Sequence, residues 1–119
     1  PHGEERMRGP HTLLLAESSD IAIRNITFAD SANYAILAEY VDRLDISHTT
    51  FRGGWDGVHV RGLPGAPCNH VSITACDFET GDDAIAGRYW HDFLISHCLI
   101  NSSCNGVRLI GPATKLLIH

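Results

Sequence analysis

Two short stretches of the chain bring acidic residues into suggestive company: Trp55-Asp56-Gly57 and Gly81-Asp82-Asp83. Carboxyl groups held close together repel, which raises the pKa of one while its neighbour stays ionised. A protonated acid facing an ionised base is what hydrolysis of a glycosidic bond requires. Polar and cationic residues follow the acids at matching offsets, with His59 and Arg61 after Asp56, Arg88 after Asp83, and Arg108 after Asn105. Guanidinium groups pair well with carboxylates. Asn105, Arg108, His59, Arg61, Arg88 and Trp55 are therefore the candidate substrate contacts, around Asp56, Asp82 and Asp83 as candidate catalytic groups. Asp is also a common turn residue, and that plainer reading suffices for Asp20, Asp30, Asp42 and Asp92.

Residues so far apart must be brought together by the elements that carry them, and a repeat supplies the means. IAIRNITF from Ile21, LDISHTTF from Leu44, VSITACDF from Val71 and FLISHCLI from Phe93 align, and LLIH from Leu116 begins a fifth unit. The starts are 23, 27, 22 and 23 residues apart, and the long interval contains Pro64-Gly65-Ala66-Pro67, which reads as a loop insertion. Ile23, Ile46, Ile73 and Ile95 form one column, Ile26, Thr49, Cys76 and Cys98 a second, and Phe28, Phe51, Phe78 and Ile100 a third. Each unit then has a turn-rich bridge and a second short strand with period-2 alternation. Leucine-rich repeats have a similar length but place several leucines at fixed offsets, where this chain has Ile, Phe, Thr and Cys.

The expected fold is all-β, a right-handed parallel β-helix of four to five coils of about 23 residues. It is expected to form a single segment over residues 1–119, a piece of a longer β-helix truncated at both ends. Coils stack about 4.8 Å apart, so equivalent residues become neighbours. The start of the second strand then reads Tyr34, Asp56, Asp83, Asn105 from coil to coil, with Leu37, His59, Ala86 and Arg108 as an outward column beside it. Cys76 and Cys98 are expected as buried free thiols, and Cys68 and Cys104 in loops. Arg8-Gly9-Pro10-His11 reads as a turn before the first strand. Trp55 and the Tyr89-Trp90 pair flank the acidic patch, where they either stack on sugars or pack at a coil corner.

Bulk properties exclude several alternatives. A net charge of −5 argues against a polyanion binder that relies on bulk charge, so no nucleic-acid partner is expected. No apolar run approaches the roughly 20 residues needed to span a bilayer. The four cysteines form no C-x-x-C pair and the histidines no H-E-x-x-H frame, so neither metal nor other cofactor is expected.

On these residues the chain resembles glycoside hydrolase family 28, the polygalacturonases and their relatives. Asn25-Ile26-Thr27-Phe28 with Ala29-Asp30-Ser31 looks like that family's N-x-T-F-x-N-S stretch. Trp55-Asp56-Gly57 sits where its N-T-D-G motif falls, and Gly81-Asp82-Asp83-Ala84-Ile85-Ala86 is similar to its G-D-D-x-I-A motif. The resemblance implies an inverting hydrolase in which Asp82 protonates the leaving oxygen while Asp56 and Asp83 hold the attacking water. Inversion needs carboxyls about 6.5–9.5 Å apart. It further implies a polysaccharide or oligosaccharide substrate of pectin-like or related uronic-acid type, and secreted or periplasmic placement. Two departures stand out. Asn105-Gly106 falls where the family has G-H-G, and the family's R-I-K clamp would fall beyond His119, so Arg108 is the cation expected to take over part of sugar-acid recognition. Two other readings use the same residues. In a lyase, Asp56, Asp82, Asp83 and Asn105 would hold Ca²⁺ and Arg108 or Arg88 would abstract the proton. A non-catalytic β-helix would bind glycan or serve as a spacer.

Overall fold

The computed structural model describes residues 11–119. Arg8, Gly9 and Pro10 of the expected entry turn lie outside the described residues. The strands, in chain order, are β1 (Leu13–Ala16), β2 (Ser19–Arg24), β3 (Thr27–Ala29), β4 (Ile36–Glu39), β5 (Asp42–Ser47), β6 (Thr50–Arg52) and β7 (Val58–Arg61), then β8 (Cys68–Thr74), β9 (Asp77–Thr80), β10 (Ile85–Arg88), β11 (Trp90–Ser96), β12 (Leu99–Ser102), β13 (Val107–Leu109) and β14 (Ala113–Ile118). Every third strand joins the same sheet. The first sheet is β1-β4-β7-β10-β13, the second β14-β11-β8-β5-β2, the third β12-β9-β6-β3, and all pairings are parallel. The chain therefore winds as a three-sided all-β solenoid of about five turns.

The register follows the sequence repeat residue for residue. Ile21, Leu44, Val71, Phe93 and Leu116 are partners in the second sheet. Phe28, Phe51, Phe78 and Ile100 are partners in the third. Inward ladders of like residues make the core: Ile46, Ile73, Phe51 and Phe78 are 0–1 % exposed, and the Phe51 and Phe78 rings stack at 4.6 Å. The 27-residue interval is absorbed as predicted, by a tight turn in which Leu63 and Ala66 exchange both backbone hydrogen bonds at 3.0 Å.

Several local expectations change. Cys68 lies not in a loop but at the start of β8, fully buried, its thiol donating to the Arg61 carbonyl. Cys76 and Cys98 are free thiols that donate to carbonyls of their own and the preceding coil, and Cys98 is only half-buried. Trp90 packs at the coil corner, stacked on Phe93 with its indole N–H donating to the Val60 carbonyl. Asp20, Asp42 and Asp92 sit in strands of the second sheet rather than in turns. There Asp20 and Asp42 pair with Arg43, and His70 bridges Asp42 and Asp92 of the coils on either side.

The solenoid turns its corner between the second and third sheets on one left-handed residue per coil: Asn25, His48, Ala75 and His97, with φ between 47° and 57°. A second left-handed column, Asp20, Arg43, His70, Asp92 and Lys115, bends the strands of the second sheet. Left-handed backbone disfavours residues with a Cβ, least so Asn and Asp. Ala75 has neither a side chain suited to that geometry nor any burial to compensate. Ala75→Gly is expected to stabilise the protein by up to about 1 kcal/mol, read as a higher urea midpoint at unchanged slope.

Candidate functional site

The site is built from the bridges between the third and first sheets, where the backbone must turn without losing register. Backbone bonds run from Ala35 to Asp56, Gly57 to Asp83, and Ala84 to Asn105, which stacks Tyr34, Asp56, Asp83 and Asn105 in one column, with His11 beside Tyr34 at its far end. In the next outward column Leu37, His59, Ala86 and Arg108 are partners. The one beyond pairs Arg61 with Arg88.

Two glycines allow the bridges to approach so closely. A Cβ on Gly57 would lie 2.7 Å from both the Ala84 carbonyl oxygen and the Phe78 ring, so the residue after Asp56 must be glycine for neighbouring coils to stack there. A Cβ on Gly81 would collide with the Gly54 carbonyl oxygen, so the Gly81-Asp82-Asp83 turn can rest on the bridge of the preceding coil. That contact is tied by the Asp82 N–H donating to the Trp55 carbonyl at 3.3 Å, and the turn itself by the Thr80 hydroxyl donating to the Asp82 carbonyl at 2.9 Å.

Asp56, Asp82 and Asp83 line a single cleft of about 210 Å³, together with Tyr34, His59, Cys104, Arg108 and Ile110. The three acids occupy different surroundings. Asp56 is 4 % exposed, and its Oδ2 is hydrogen-bonded to His59 Nδ1 at 2.7 Å. Burial pushes its pKa above the ordinary carboxylate value, against the opposing pull of His59 and with help from Asp82 and Asp83. On Asp83, also buried, three donors converge: the backbone N–H and side-chain amide of Asn105 at 3.0 and 2.9 Å on Oδ1, and Arg108 Nη1 at 3.7 Å from Oδ2. Asp82 is half-buried. Chemically the cleft offers one acid bonded to an imidazole, one facing donors on both oxygens, and a third that is less buried than the other two.

The remaining candidates divide. Arg61, Arg88, His59 and Ile110 line a second hollow of about 200 Å³ beside the first. Trp55 is half-buried on the bridge and does not line either hollow. Tyr34 and Cys104 enter the cleft without having been singled out. Tyr34 stood in the same column as Asp56, and that shared position was the signal that could have found it. Its ring is sandwiched between His11 at 4.9 Å and His59 at 4.6 Å, with the Arg61 guanidinium 5.9 Å from its centroid. Burial, then the charge of Asp56, pushes its phenol pKa up. Cys104 was expected in a loop, and its thiol falls with the carboxylates of Asp82 and Asp83 in a group whose atoms lie within 4.8 Å of one another, so those two acids stand closer than the separation of about 6.5–9.5 Å expected of an inverting pair.

The winding, the stacked columns and the bridges bear the marks of one architecture, and a family model described as right handed beta helix region matches residues 11–118. The chain belongs to that family. No curated protein and no solved structure was found to match it. The right-handed β-helix thus accounts for the fold, and the chemistry has to be argued from the cleft.

The shifted carboxyl has a consequence for stability. Because burial raises the pKa of Asp56 in the folded chain, folding favours its neutral form. That contribution is complete below the unfolded value of about 3.9 and is lost as pH rises through the folded value. Asp56→Asn removes this dependence, so the variant is expected to gain stability relative to the parent as pH is raised from 4 to 7, measured by urea unfolding at each pH.

Proposed function

We propose that this β-helix is an inverting glycoside hydrolase of a pectin-like or related uronic-acid polysaccharide. The observation that carries the reading is the convergence of Asp56, Asp82 and Asp83, from two neighbouring coils, on one cleft. Asp82, the least buried of the three, protonates the leaving oxygen. Asp56 and Asp83 lie side by side on adjacent coils and hold the attacking water between them. Arg108 at the cleft and Arg61 and Arg88 in the adjoining hollow supply the cations that sugar carboxylates require. The substrate is extracellular in this reading, which goes with a secreted or periplasmic protein.

The test is incubation with polygalacturonate, rhamnogalacturonan and alginate, following reducing ends and the anomeric configuration of the first product by NMR. New reducing ends of inverted configuration, lost in Asp82→Asn, are the expected result. An unsaturated product absorbing in the ultraviolet, lost with chelator, would replace the reading by a calcium-dependent lyase. Binding with no cleavage of any of them would leave a glycan-binding β-helix.

A further inference from the structure

We propose that His59 is itself the base of the cleft, a catalytic imidazole oriented by Asp56. The inference rests on the hydrolase reading and changes the assignment of the group that takes the water's proton.

The argument begins with what each acid is already doing. Both oxygens of Asp83 face donors, Oδ1 two from Asn105 and Oδ2 the Arg108 guanidinium. Asp56 is committed through Oδ2 to His59 at 2.7 Å. A carboxylate so placed holds the imidazole proton on Nδ1, which makes Nε2 the nitrogen able to accept another. The ring is 4 % exposed and clamped by the parallel face of Tyr34, with 15° between the planes, so its orientation is set before any ligand arrives. On the neighbouring coil its register partner is Ala86, and on the coil beyond that Arg108. His59 accordingly borders both hollows, the acidic one and the one with Arg61 and Arg88. A buried, doubly oriented imidazole at the junction of two hollows is costly to maintain as a mere filler.

The step balances without any further reactant. A water oxygen bonds to the anomeric carbon as its proton passes to His59 Nε2. The glycosidic C–O bond breaks, its electron pair goes to the leaving oxygen, and that oxygen takes the proton of Asp82. The Asp56 carboxylate faces the imidazolium while it lasts, and solvent then carries the proton from His59 back to Asp82.

Three variants and one spectrum test this. An Asn side-chain amide can reproduce the Nδ1–H contact with Asp56 but has nothing at Nε2. His59→Asn is therefore expected to lose about a hundredfold or more in kcat, within the usual worth of a positioned base, on whichever of the three polysaccharides the protein cleaves fastest. His59→Ala should regain part of that rate with added imidazole. In the parent protein, ¹⁵N shifts should show the neutral ring of His59 protonated at Nδ1, a measurement that does not depend on how the variants fold. His59→Asn within twofold of the parent, while Asp82→Asn is dead, would overturn the role of His59 and leave the hydrolase reading intact. So would a ring protonated at Nε2. Full activity in Asp82→Asn would remove the hydrolase reading and this inference with it.

Discussion

Asp82→Asn is expected to reduce hydrolysis by about 10²–10⁴-fold, the usual contribution of a general acid, at unchanged thermal stability. The exchange preserves size and shape but leaves no proton to deliver to the departing oxygen. The turn itself is held through its backbone, which the exchange leaves in place. The Asp82 N–H bonds to the Trp55 carbonyl, and the Asp82 carbonyl accepts from Thr80. The side chain is half-buried at the cleft rather than packed in the core. Initial rates of reducing-end release and a urea unfolding curve, run on the same preparation, separate chemistry from folding. A variant that melts early would mean that the carboxylate is structural, and one that cleaves at the parental rate would remove it from the mechanism.

The largest effect on stability is expected at Phe78, which lies directly beneath the site. Its ring is fully buried, stacks on Phe51 at 4.6 Å, and is in the way of any Cβ on Gly57. Phe78→Ala removes the transfer energy of the ring and leaves a hole that stacked coils cannot close, since coil spacing is set by the backbone ladders. A loss of about 3–5 kcal/mol follows, or a fall in Tm on the order of 15 °C. Phe28 is the internal control, since it is slightly exposed and its ring partner Phe51 lies farther away, at 5.3 Å. Phe28→Ala should therefore cost clearly less. Equal losses would show that the ladder does not act as a local support for the Asp56-Gly57 bridge.

Much of the fold was legible because a solenoid turns sequence period into spatial register. Once Ile21, Leu44, Val71, Phe93 and Leu116 are aligned, stacking makes them partners. The same rule brings Asp83 beside Asp56 and Asn105 beside Asp83. The corners were not legible. Asn25, His48, Ala75 and His97 share a left-handed conformation but no chemistry, since backbone closure of the coil imposes it whatever the side chain. The acids of the second sheet were misplaced for the same reason. A left-handed residue inside a strand carries no turn signature, and Asp20 and Asp92 occupy such positions.

Side-chain partnerships were the other gap. The outward column of Leu37, His59 and Ala86 was expected to face solvent, yet all three are buried. Sequence spacing assigns a face to a residue, but what lies over that face depends on neighbouring coils and bridges. Asn105 looked like a contact for sugar and instead places two donors on Asp83. His59 looked like another and is joined to Asp56.

By itself, then, the order of residues determined the winding, the period, the stacked columns and the coils on which the acids lie, because parallel stacking converts equal spacing into contact. Only the tertiary structure decided how far each acid is buried, which partners each one meets, and that Arg61 and Arg88 fall into a second hollow while Arg108 joins the acids. Those outcomes turn on distances of a few ångströms between side chains of different coils, and a linear repeat does not encode them.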